Sequence, residues 1–310
     1  MSLPIEWKAR LRLPLLIAPM FLVSTVELVL ATCRAGAVGT IPAANARSAE
    51  VLEDWLRAMA GGLSDRDAPW GVNLLVHRSY ERLEQDLELV ERYKPPLVVT
   101  ALGSPRAVIE RVHACGGRVF ADVNSVRHAR QAAELGVDGL TLVAAGAGGH
   151  TGTMSAFAMV PAIREFFDGT LVLGGGLMDG AAVRAAEVLG ADLASMGTAF
   201  IACPETMASD AYRQMLLEST IEDLVLTHAV SGVPAYWLRK SLLAVGIDPD
   251  ALERATPVHN RDIARWSRIW SAGHGVGALR CIEPAAAVVE RLAAQYWQAV
   301  RQPSGLGAPA

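Results

Sequence analysis

Short apolar runs punctuate the first two-thirds of the chain, with helical patterns in the gaps between them. The runs are Leu15–Pro19, Ala37–Ile41, Gly71–Val76, Leu97–Ala101, Arg118–Val123, Gly139–Ala145, Leu171–Gly175 and Leu193–Phe200. Each is apolar at nearly every position and does not alternate, the pattern of parallel strands buried on both faces. The intervening segments carry helix caps. Ser104-Pro105 opens Arg106–Cys115 and Gly116-Gly117 closes it; Ser125 opens Val126–Leu135, which Gly136 closes; Asp179 opens Gly180–Leu189, which Gly190 closes. Eight strand–helix units in this order predict an α/β fold of the (β/α)8 TIM-barrel type. The competing architecture, an open doubly wound sheet, places its glycine-rich phosphate turn after the first strand. Here that turn is Ala18-Pro19-Met20-Phe21, without glycine, and the glycine-rich turns follow the sixth and seventh strands instead.

The pattern changes after the eighth strand. Residues 206–263 form a polar insertion expected to be helical, with one aromatic stretch, Val233-Pro234-Ala235-Tyr236-Trp237-Leu238. Long excursions from barrel loops tend to cover the mouth, so the chain divides into a barrel (1–205 with 264–302) and a lid that shapes a substrate pocket (206–263). A further glycine-rich stretch, Trp270–Gly277, opens the C-terminal region, and Pro303–Ala310 reads as a frayed tail.

Composition narrows the class. With 310 residues, 52% hydrophobic and 19% charged, the chain is too apolar for a disordered one. Its 28 basic and 32 acidic residues are dispersed, so no basic stripe awaits a phosphate backbone and nucleic acid is not an expected partner. Four cysteines without a Cys-x-x-Cys argue against a disulfide framework or structural zinc and fit a reducing cytoplasm. Lys8, Arg10 and Arg12 precede the apolar stretch Leu13–Val26, as in a secretory leader. Pro14 and Pro19 interrupt that stretch and Glu27 follows it, so neither a leader nor a membrane anchor is expected. Nothing in the sequence excludes a homodimer.

Two constellations carry chemistry. Leu173-Gly174-Gly175-Gly176 ends the seventh strand and Ser195-Met196-Gly197-Thr198 the eighth. Glycines let backbone N–H groups approach a ligand, and these two loops commonly build the phosphate site of barrels. By themselves they say only that the ligand is phosphorylated: a flavin mononucleotide, a sugar phosphate or a nucleotide all fit. Ala147-Gly148-Gly149-His150-Thr151-Gly152 follows the sixth strand. A histidine among glycines has few side chains to pack against, and its imidazole suits proton transfer near neutral pH. Tight turns and a solvent-facing histidine are the plain alternatives. No Gly-x-Ser-x-Gly or His-Glu-x-x-His occurs, and the seven histidines are scattered, so neither a serine nucleophile nor a metal site is expected.

These motifs, in order, resemble the nitronate monooxygenase family of FMN-dependent barrels. The resemblance runs from Leu15 to about Leu279 and rests on Ala18-Pro19-Met20, Gly71-Val72-Asn73, Ala121-Asp122-Val123, the His150 loop, Gly174-Gly175-Gly176, Met196-Gly197-Thr198 and Trp270-Ser271-Ala272-Gly273. It implies FMN held without a covalent bond. Ala18, Pro19, Met20 and Asn73 would line the flavin; Gly174, Gly175, Gly176, Gly197 and Thr198 would hold its phosphate. Gly148 would sit near the ring, with His150 beside the reacting carbon as the catalytic base. The implied reaction takes an alkyl nitronate and dioxygen to a carbonyl compound and nitrite. Two positions depart from the pattern: Asp122 stands where some members carry lysine, and His274 where glutamine is expected. Tyr236, Trp237 and His274 are the candidate substrate contacts. A flavin reductase using NAD(P)H, of the enoyl-acyl-carrier-protein or quinone reductase type, and a phosphate-binding barrel without redox chemistry are the competing readings.

Overall fold

The structure, a computed structural model, describes residues 3–254 and 268–302. Among them, eight parallel strands close into a barrel. They are β1 (Leu15–Ile17), β2 (Val38–Pro42), β3 (Trp70–Leu75), β4 (Leu97–Ala101), β5 (Arg118–Val123), β6 (Gly139–Val143) and, beyond the two-residue β7 (Gly149–His150), β8 (Thr170–Gly174) and β9 (Leu193–Met196). The last strand pairs with the first, Ile17 facing Met196. All eight expected strands are present. Their ends were less legible: the last apolar run extends to Phe200, but the strand stops at Met196, and Thr198–Ile201 coil into a short helix on the far side of Gly197. A run that is apolar throughout cannot mark where a buried strand becomes a buried helix.

The helix caps form as expected. Ser125 Oγ accepts from His128 N at 3.2 Å, Asp179 Oδ1 from Ala182 N at 2.7 Å, and Gly190 ends its helix in the left-handed region.

Strand register decides what the barrel encloses, because directly paired positions share a face and faces alternate along each strand. Leu16, Val38, Leu97, Val99, Phe120, Val172 and Leu193 form an apolar floor inside the ring. Leu3 and Trp7 join this cluster from the N-terminal segment, the Trp7 ring 6.1 Å from that of Phe120. Two residues further along, the inward positions turn polar or small. Asn73 pairs with Val99, Asp122 with Thr141, Thr141 with Val172, and Gly174 with Ser195. The outer faces pack against the helices in the main core.

The insertion, expected to be helical, contains the helices Asp210–Leu217 and Arg239–Ala244 together with an antiparallel hairpin. Its strands, β10 (Leu224–Thr227) and β11 (Ala235–Leu238), form a three-stranded sheet with β7 at one edge. Residues 255–263 of the insertion, His259 among them, and the tail Pro303–Ala310 lie outside the described residues.

The final helix, Ala285–Arg301, closes the barrel against the helix Gly180–Leu189. Contact is made at Gly180, where an added Cβ would lie 2.2 Å from both Leu292 O and Tyr296 N. Those atoms are helix backbone and cannot swing aside. Gly180→Ala should therefore cost about 2 kcal/mol, in the range of core overpacking, read as a lower urea midpoint with unchanged secondary structure. A wild-type midpoint would show that the two helices separate freely.

Candidate functional site

Four loops at the C-terminal ends of the strands converge over the polar ring. Gly146 (φ 88°) lies against the His274 side chain, so that a Cβ would sit 2.8 Å from His274 Nδ1. Gly148 is packed on Gly273 N, also 2.8 Å from an added Cβ, and Gly273 on the Gly146 carbonyl at 2.6 Å. Gly175 (φ 138°) crosses the Ala145 carbonyl equally closely. The Gly146 carbonyl accepts from both Gly176 N (3.2 Å) and His274 N (2.9 Å), and Thr198 Oγ1 accepts from Gly273 N at 2.8 Å. The stretch Trp270–Gly277 is thus one wall of the mouth, bound to the loops after β6, β8 and β9. On the opposite flank of β9, Met20 and Ala18 lie against Gly197.

Further residues hold this arrangement, Trp270 and Ser271 from a stretch on which the resemblance rests and Asn45 and Tyr212 from outside every motif read in the sequence. Asn45, buried in the turn after β2, donates to the carbonyls of Met20 and Ser24 and accepts from Leu22 N, which fixes Leu22 at φ 56°. Ser271 Oγ accepts from Gly149 N at 2.7 Å and donates to Tyr236 O at 2.6 Å, joining β7 to β11. Tyr212 donates to the Ser271 carbonyl and stacks on Trp270, ring centroids 5.0 Å apart. No sequence signal marks Asn45 or Tyr212, since each acts through a partner distant in the chain.

His150 lies on β7 and is exposed at its surface; the surrounding protein partly desolvates its imidazole and holds its pKa below the ordinary 6.5. A neutral imidazole at neutral pH is a competent proton acceptor. Register separates His150 from Tyr236: His150 pairs with Ala235 and Tyr236 with Gly149, which puts the two side chains on opposite faces of the small sheet. Tyr236 instead meets His274 edge-on, centroids 4.7 Å apart. Trp237, read from the sequence as a substrate contact, is buried with Val230, Leu242, Leu252 and Ile269 beneath the hairpin. His113 and His128 pair locally on outer helices with Asp138 and Asn124. Among the described residues no group of three potential metal ligands exists, and all four cysteines are free.

Asp122 sits in the polar ring. Burial pushes its carboxyl up to about 7, and the Thr141 hydroxyl across from it pulls the other way by less. Thr141 is itself buried, and among the described residues no hydrogen bond of ordinary geometry ends on its Oγ1.

Known proteins sharpen the picture. The sequence profile of the family described as "Nitronate monooxygenase" matches residues 80–259. The chain belongs to the nitronate monooxygenase family, a family of flavin-dependent oxidoreductases. A nitronate monooxygenase of Paraburkholderia phytofirmans is 30% identical over 291 residues, 78% of each chain. FabK of Thermotoga maritima superposes with TM-score 0.78 at 25% identity, over 94% of this chain and 95% of that one. A nitroalkane oxidase of Streptomyces ansochromogenes superposes with TM-score 0.80 at 24% identity, over 95% and 99%, a likeness of fold. Among the described residues no helix is long and apolar enough to cross a membrane.

The position of Asp122 has a consequence for stability in this family member. Its folded pKa of about 7 exceeds the ordinary 3.8, so between these values the folded chain holds more protons than the unfolded one. Stability therefore falls as pH rises through that window. Asp122→Asn removes the dependence: its melting temperature should exceed wild type above pH 7 and converge on it below pH 3.8. A gap that stays constant across the window would place Asp122 in water.

Proposed function

We propose that this chain is an FMN-dependent nitronate monooxygenase, oxidising alkyl nitronates with dioxygen to carbonyl compound and nitrite. The observation that carries the reading is the convergence of four glycine-lined loops on a polar ring, with His150 open beside them. Positions where a Cβ would strike backbone are positions where backbone approaches closely, and a phosphate and a flat ring system need that approach. Gly174, Gly175, Gly197 and Thr198 would hold the phosphate. Gly176 N–H already serves the Gly146 carbonyl, which narrows the available amides. Ala18, Pro19, Met20, Asn73, Asp122 and Gly148 would line the ring. FMN, when bound, supplies the electron transfer between nitronate and dioxygen.

The chain's own groups do the rest. His150, neutral at neutral pH, takes the α-proton where the substrate is the neutral nitroalkane. The Tyr236–His274 pair borders the mouth, and the hairpin, tied to β7, serves as its cover. Free cysteines support a cytoplasmic setting.

A second reading, NAD(P)H-dependent flavin reduction, is favoured by the likeness to FabK over nearly the whole chain. Anaerobic mixing of the purified protein with an alkyl nitronate, NADH and NADPH separates them: the nitronate should bleach the flavin. Bleaching by a nicotinamide alone would replace the proposal with the reductase reading, and a protein that takes up no FMN would leave a phosphate-binding barrel.

The proposed roles give two further expectations. His150→Ala should keep its flavin and lose turnover of the neutral nitroalkane by about 10²–10⁴-fold, the range of general-base catalysis, with a smaller loss on the preformed nitronate. For wild type, kcat/KM on the neutral substrate should rise with pH through a pKa below 6.5. Equal losses on both substrates would make His150 a binding residue. The phosphate assignment is tested at Gly174, whose added Cβ would meet nothing nearer than Ser195 Cβ at 3.5 Å. Gly174→Asp should therefore fold, yet purify colourless; full flavin content would move the phosphate elsewhere. Gly175 serves this test less well, because at φ 138° any side chain is strained.

A further inference from the structure

Asp122 is set where a carboxylate has no counter-charge. It points inward from β5, two residues above Phe120 of the apolar floor. The strands packed on either side put Ala101 (β4), Thr141 and Val143 (β6) at the neighbouring inward positions, none of them charged. The rest of the ring adds Asn73, Gly174 and Ser195, and the helices flanking β5 pack on its outer face. No charged side chain acts on the carboxyl; desolvation dominates, opposed only by the Thr141 hydroxyl. A buried carboxylate without a cation or several N–H donors is costly, and such a group takes up a proton instead. Asn73 does not relieve it, since its Nδ2 donates to the Val99 carbonyl at 3.1 Å. Beside Asp122, Thr141 is buried, and its Oγ1 is without a hydrogen bond among the described residues. Thr141 and, once protonated, Asp122 thus face one space, each with an O–H to give and neither held by a hydrogen bond of ordinary geometry.

We propose that Asp122 is a neutral carboxylic acid that, together with Thr141, donates hydrogen bonds to an acceptor atom of the ring system held at the barrel mouth. This rests on the flavin reading for the identity of the ligand, but not for the state of the carboxyl. The pair binds by donation without charge. The proton stays on Asp122; no bond to the ligand is made or broken. A site built this way presents acceptor groups of a flavin with donors, yet sets no positive charge beside the ring. Asn at position 122 keeps a neutral donor of the same shape, whereas Ala removes it.

Two measurements test this. Infrared difference spectra of wild type against Asp122→Asn, with and without FMN, read the carboxyl directly. A protonated C=O band should be present in wild type at pH 5, absent from the variant, and lost as pH rises through about 7. A carboxyl already ionised at pH 5 overturns the proposal. FMN titration of the apoprotein reads donation: Asp122→Ala and Thr141→Val should each weaken binding by roughly 5- to 10-fold, the worth of about one hydrogen bond. Asp122→Asn should stay within about threefold of wild type. If Asn weakens binding as much as Ala, or Ala not at all, Asp122 is no donor. If wild type itself takes up no FMN, the flavin reading fails separately, and the infrared band alone decides whether Asp122 carries its proton.

Discussion

Backbone crosses backbone at the mouth of this barrel, and the site depends on that crossing. The Gly146 carbonyl is shared by the amides of Gly176 and His274, while Gly148 and Gly273 lie so close that neither has room for a Cβ. Loops from β6 and β8 and the C-terminal stretch are thereby locked to one another chiefly through backbone, with the side chains of Ser271 and His274 at the margins. Such a joint is narrow, and it leaves the space above the ring free for a ligand. It also demands glycine at several positions at once, because one methyl group in the seam would push a wall of the site outward by more than hydrogen bonds tolerate.

Beneath that seam the barrel changes character within two residues. Phe120 and Val172 belong to a dry floor sealed by Trp7, and Asp122 and Thr141 above them are polar but uncharged by any neighbour. The floor removes water from one side, which makes ionisation of Asp122 unfavourable. At a ring position where a lysine would bring positive charge, this chain brings hydrogen-bond donors. His150, on β7, is desolvated toward its neutral form as well. Asp122 and His150 are shifted in opposite directions from their ordinary values by the same cause, and both shifts favour the uncharged state.

The barrel was legible in the sequence because buried parallel strands leave unbroken apolar runs, and because Ser125, Asp179 and Gly190 mark helix ends locally. The glycine clusters were legible as well, since glycine announces a backbone requirement. Contacts that join distant segments left no such mark. Ser271 stands in a stretch the sequence marks, but its role shows only once Gly149 and Tyr236 are brought to it, and Asn45 becomes the anchor of the first loop only once β1 and β2 are side by side. The hairpin was hidden in a stretch read as helical, since Leu224–Thr227 and Ala235–Leu238 are four residues each, too short for either period to declare itself. That is also why Tyr236 and Trp237 looked alike. In a strand, neighbours face opposite ways, so one borders His274 and the other is packed into the insertion's own core.

The same hairpin couples the insertion to the reactive end of the site. β7 is only Gly149–His150, and two residues cannot hold a strand conformation unaided. Their geometry comes from β11 on one side and from Ser271 Oγ on the Gly149 amide. Ser271 is in turn held through its carbonyl by Tyr212, from the insertion's first helix. The orientation of His150 is therefore set by residues of the insertion and the C-terminal stretch rather than by the barrel that carries it. A rigid barrel fixes the ring of donors and the glycine seam, while the histidine rides on a separately supported edge. Changes in the insertion can then adjust the angle at which the imidazole meets a substrate without disturbing the seam below.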